Sequence, residues 1–120
     1  MRKEDRAAQI WSVLALAARN RQILTYEILA RLIGVPMPAL GRLLEPVQSF
    51  CLKHQFPPLT ALVVSSESGR PGSGYTAGSD VPAMQQRVFA LDWLKVGCPS
   101  PEELAEALRT HPSRRGQWGT

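Results

Sequence analysis

Cys51-x-x-His54, with Cys98 and His111 downstream, supplies the residue types best suited to hold a soft metal ion, because thiolate and imidazole are zinc ligands and four can close a tetrahedron. Their spacing matches no common zinc finger. Cys51 stands in an apolar helical stripe, which predicts a buried thiol, a solvated His54 and no metal. Nucleophilic chemistry is equally sparse. No histidine is set where it would activate either thiol, and no Gly-x-Ser-x-Gly elbow occurs. Gly69-x-x-Gly72-x-Gly74 lacks the lysine and the strand-to-helix context of a phosphate cradle. These residues predict a protein that is not an enzyme and carries no cofactor. A residual thiol chemistry at Cys51 or Cys98 is the minority reading.

Binding chemistry is better provided for. The 120 residues carry 14 Lys+Arg against 10 Asp+Glu, a formal net charge of +4, and the pI is near 9.6. A mild positive excess favours a polyanionic partner through counterion release. Lys3, Lys53 and Lys95 are the only lysines. Arginine therefore dominates, and its planar fork suits phosphate and base edges. Arg42 is the one strong base reader on its helix, beside the acidic Glu45. Arg70 stands in a glycine-rich loop where it can clamp a phosphate, and Tyr75 closes that loop, either stacking on a base or packing back on a strand. Arg31 and Lys53 are secondary phosphate contacts.

The elements that must position these residues are mainly helical. Ala8, Trp11, Leu14, Ala15 and Ala18 recur at three- and four-residue steps and predict a helix from Glu4 to about Asn20. Thr25 is an N-cap for a helix through Ile33, which Gly34 ends. Pro36 or Pro38 opens a second helix, with Leu40, Leu43, Leu44, Val47, Phe50 and Cys51 as its apolar stripe. Pro38, Arg42, Glu45, Ser49 and Lys53 fall mostly on the other side. Pro46 predicts a kink or a break into two short helices. After Pro57-Pro58, Leu59 to Val64 reads as a short buried strand. Asp80 caps a helix starting at Pro82 and carrying Met84, Val88, Leu91 and Leu94, and Ser100-Pro101-Glu102-Glu103 is a capping box for a helix to about Thr110. Trp11 and Trp93 belong to the core.

Two helices joined by a Gly-Val-Pro turn in a basic chain form a helix-turn-helix pattern, which points first to nucleic acid. The order TYEILARLIG, PALGRLL and LVVSSESGRPGSGYTAG, over roughly residues 24 to 94, resembles the C-terminal domain of alkylguanine-DNA alkyltransferases and the related alkyltransferase-like proteins. That family has a Thr-Tyr-Gly helix start, an Arg-Ala-Val-Gly recognition helix, a Pro-Cys-His-Arg-Val-Val segment and a Gly-Tyr loop. The resemblance implies a mainly α domain with a small β element, winged-helix-like and built on a helix-turn-helix. It puts Tyr26 near the phosphate of the target nucleotide and Gly41 on the recognition-helix glycine. Pro38 stands where the family has its arginine finger and Thr60 where it has the alkyl-accepting cysteine. Ala61 and Leu62 replace the histidine and arginine that follow. Without that thiolate alkyl transfer is lost, and a short, rigid proline cannot fill the space of a flipped base.

The expectation is one domain over residues 1–112 with a flexible tail at 113–120, cytoplasmic and with no membrane segment. Its function reads as non-enzymatic binding of duplex DNA, largely through phosphate and shape, by Tyr26, Arg31, Arg42, Lys53 and Arg70. Pro38, Thr60 and Tyr75 shape a neighbouring pocket or loop. The alternative is a protein-interaction or regulatory accessory module, in a bacterium or phage, that has lost DNA binding.

Overall fold

Glu4 and Asp5 at its start and Arg19 at its end suit the dipole of the first helix, α1 (Lys3–Arg19). The computed structural model, which describes residues 1–72 and 80–112, continues with β1 (Leu24–Thr25) and α2 (Tyr26–Ile33). A 3-10 turn (Met37–Ala39) leads into α3 (Leu40–His54). A second 3-10 turn (Leu59–Leu62) leads into β2 (Val63–Val64), and α4 (Val81–Ala90), α5 (Trp93–Val96) and α6 (Pro101–Thr110) complete the order. The fold is thus mainly helical with a small two-stranded sheet. The strands are parallel, Leu24 opposite Val63 and Thr25 opposite Val64. No described helix is long and apolar enough to cross a membrane.

Local chemistry sets most of the helix ends. The Thr25 side chain accepts from the Ile28 N–H, and Gly34 ends α2 with φ +81°, a left-handed conformation that costs glycine nothing. Arg6 of α1 donates to the carbonyl of Ile33 at 2.6 Å, setting a cation on the negative end of α2. The Asp80 carboxylate accepts from the Ala83 N–H. Ser100 and Glu103 exchange hydrogen bonds of 3.1 and 3.0 Å as a complete capping box.

The core is the interface of α1, α3 and α6, closed by α5 and the second 3-10 turn. Trp11 is at its centre, edge-on to Phe50 at 5.3 Å and to Trp93 at 5.6 Å. Such pairs each contribute about 0.5–1.5 kcal/mol beyond burial itself. The six apolar residues expected to face inward from α3 are all buried.

Four expectations are corrected. Leu59 to Val64 is not one strand: its first four residues form a 3-10 turn, with the Ala61 N–H on the Pro58 carbonyl at 3.0 Å. The partner strand offers only two residues before Thr25 turns to cap α2, so the preceding backbone satisfies its buried polar groups locally. Helix α3 runs through Pro46 without a break. The carbonyl that loses its partner belongs to Arg42, at the exposed end of the helix, so the break into two short helices does not occur. Ser49 is buried rather than outward-facing, because α1 and α6 cover two sides of α3. The helix from Asp80 stops at Ala90, where the Trp93 indole N–H takes the Val88 carbonyl at 2.7 Å. Leu94 lies in the separate α5 and is exposed.

Candidate functional site

A cavity of about 320 Å³ opens between the start of α2, the first two turns of α3 and the loop after β2. Each wall follows from the local sequence. Helix α3 gives Gly41, Leu44, Glu45 and Gln48, one face at three- and four-residue steps. Met37 and Pro38 of the preceding turn add an apolar lip, and Tyr26 and Glu27 come from the first turn of α2. Ser65, Ser66, Glu67 and Gly72 come from the loop, and Thr60 reaches in from the second 3-10 turn.

The loop is closed on itself. Ser65 N–H donates to the Arg70 carbonyl and Gly69 N–H to the Ser65 carbonyl, both at 2.8 Å. Gly69 has φ +70°, a turn that favours glycine. Two contacts tie the loop to α2: Gly72 N–H donates to the Tyr26 hydroxyl at 2.6 Å, and the Ser66 hydroxyl donates to Glu27 Oε1 at 3.3 Å. On the opposite wall the Thr60 hydroxyl donates to Gln48 Oε1 at 3.4 Å, both side chains being buried.

Pro38 and Thr60, expected to shape a pocket or loop, line this cavity together with Tyr26, which was expected to contact nucleic acid. Tyr75 and the tail at 113–120 lie outside the described residues. Arg42 is exposed beside Gly41 at the tip of α3, Arg31 is exposed on α2, and Arg70 is exposed in the loop. Lys53 is not brought to the cavity. It is exposed in the last turn of α3, about 16 Å along the axis from Arg42. The middle of α3 is closed to a partner, since Gln48, Ser49, Phe50 and Cys51 are buried, which separates its exposed first turn from the exposed Lys53 and His54 at its end.

Sequence reasoning missed Glu27, Glu67 and Gln48 as lining residues. Glu45 and Gln48 could have been found, because they continue the row that starts at Gly41. Glu27 and Glu67 could not, because the loop that brings them together is anchored across 46 positions by Tyr26 and Gly72.

The pocket holds no thiol. Cys51 lies on the core side of α3, fully buried, and burial pushes its thiol up to about 12. Cys98 is exposed, and its Sγ accepts from the Ser12 hydroxyl at 3.6 Å. His54 packs at a tilt on Phe50 with ring centroids 4.3 Å apart and stacks on Phe56 at 5.8 Å. Among the described residues no group of three or more His, Cys, Asp or Glu is disposed to hold a metal ion. Glu27, Glu45 and Glu67 make no ion pair among those residues. The arrangement suits recognition by carboxylates and hydroxyls beside an apolar lip.

No family model matches the chain, and no curated protein or solved structure is found to be similar to it.

Proposed function

We propose that this protein is a non-enzymatic DNA-binding protein built on an alkyltransferase-like helix-turn-helix scaffold, with α2 as the supporting helix and the tip of α3 as the reading element. One observation carries the proposal. Tyr26, Pro38 and Thr60, which the resemblance draws from three separate segments, share one pocket beside the exposed start of α3. Arg42 and Arg31 stand on the same pair of helices, with no carboxylate paired to either among the described residues. They are available to phosphate. The winged-helix description belongs to the same proposal.

The chemistry of the pocket supports binding without alkyl transfer. Thr60 stands where the resemblance would have a reactive cysteine, and its hydroxyl is given to Gln48 rather than to a base. A hydroxyl with no general base beside it is a poor nucleophile. The test is a binding panel of duplex, single-stranded, mismatched and alkylated DNA at two salt concentrations. Salt-sensitive binding of duplex with no preference for the alkylated strand is the expected result. Absence of duplex binding at low salt overturns the proposal.

A second reading, a protein-interaction module, is favoured by one specific observation. Between Leu24 and Gly72 four cations, Arg31, Arg42, Lys53 and Arg70, face three carboxylates, Glu27, Glu45 and Glu67. The positive excess of the chain is thus not concentrated here. Ile28 and Leu32, one turn apart on α2, and Met37 are exposed apolar side chains on the same segment. Retention of one stoichiometric protein partner, with no DNA retained at low salt, would select this reading.

A further inference from the structure

We infer that the cavity between α2, α3 and the 65–72 loop is a binding site for a small organic cation with an apolar body, an amidine, guanidine or primary amine. The cavity is the first ground. Its volume of about 320 Å³ is at the small end of the roughly 300–1,000 Å³ of small-molecule sites. Its walls are of two kinds, as such sites require. Met37, Pro38 and Leu44 offer apolar contact, while Gln48 and Thr60, 2% and 5% exposed, present a buried polar pair already oriented by their mutual hydrogen bond.

The sign of the ligand's charge follows from how the chain treats its other acids. Glu4, Asp5, Asp92, Glu102 and Glu106 each face an arginine. Asp80 and Glu103 hold backbone N–H groups at helix starts. Glu45 and Glu67 have neither an ion pair nor a hydrogen bond to their carboxylates among the described residues, and Glu27 has only the Ser66 hydroxyl. These three are the carboxylates that line the cavity. A cation entering it meets three carboxylates that lie outside the ion pairs formed among the described residues. The inference needs only the cavity and its walls, and it holds whether or not the protein binds DNA.

Gly41 provides a clean way to close the site. A Cβ there meets no atom within 4 Å, and its φ is not positive, so Gly41→Leu extends into open cavity while improving helix propensity. The experiment is titration of the full chain with benzamidine, with its neutral isostere benzamide in parallel, followed by calorimetry and amide chemical shifts. Benzamidine should bind saturably and about tenfold more tightly than benzamide. Glu45→Gln and Glu67→Gln should each weaken it roughly threefold, Gly41→Leu should abolish it, and Glu106→Gln, an equal loss of charge on α6, should leave it unchanged. The inference is overturned by absence of saturable benzamidine binding, by equal affinity for the two probes, or by binding that survives Gly41→Leu.

Discussion

The backbone N–H of Gly72 donates to the Tyr26 hydroxyl at 2.6 Å, and a Cβ on Gly72 would come within 2.8 Å of that same oxygen. The contact that closes the pocket thus depends on a glycine on one side and a phenol on the other. Tyr26→Phe should cost about 1 kcal/mol through the lost hydrogen bond. Gly72→Ala should also destabilise, but less in the Tyr26→Phe background, where the blocking oxygen is gone. A double-mutant cycle by urea denaturation checks this. Strictly additive costs would show that the two residues do not meet in solution.

Helix α6 depends on its first turn. Ser100→Ala removes half of a complete capping box and should cost about 1 kcal/mol at neutral pH. Hydrogen bonds from Ser100, backbone first and then side chain, hold the Glu103 carboxyl below its ordinary value of 4.5. A group lowered on folding adds stability that is present above its ordinary value and is lost as pH falls through the lowered one. The penalty of Ser100→Ala should therefore shrink in acid, and thermal melts of parent and variant across the acid range would reveal a constant penalty if this is wrong.

Cys51 makes the opposite prediction at the alkaline end. Burial raises its thiol from 9.0 to about 12, so above 9 the unfolded chain releases a proton that the native state retains. Stability from this group is complete below 9 and falls as pH rises toward 12. Cys51→Ala is expected to flatten the alkaline fall in melting temperature, although it lowers the temperature itself by leaving a cavity. In the native protein iodoacetamide should label Cys98 and spare Cys51. Rapid labelling of Cys51 would contradict its placement in the core.

How much of this was legible beforehand depended on the range of the interactions. Thr25, Gly34, Asp80 and Ser100 announced helix ends because a cap is a local hydrogen bond between residues three or four apart. The inward stripe of α3 was legible from its period. Leu59 to Val64 was misread because an apolar run does not say whether a partner strand exists, and here the partner ends after Thr25. Ser49 was misread because its helix packs on two sides, which a single-face pattern does not express. For the pocket, Pro38 and Thr60 came from motif order, whereas Tyr26 was read as a nucleic-acid contact. Glu27 and Glu67 required the loop to fold back on α2, which no spacing in the chain encodes.

The proposed binding of DNA through the tip of α3 is tested by the salt dependence of duplex affinity in the parent and in Arg42→Glu. Affinity of the parent should fall steeply as salt rises. Arg42→Glu should bind more weakly at low salt, and its slope of log affinity against log salt should be shallower by about one. Arg70→Glu tests the loop in the same way. A parent that does not bind duplex, or Arg42→Glu binding with unchanged affinity and slope, would show that the tip of α3 is not a DNA contact.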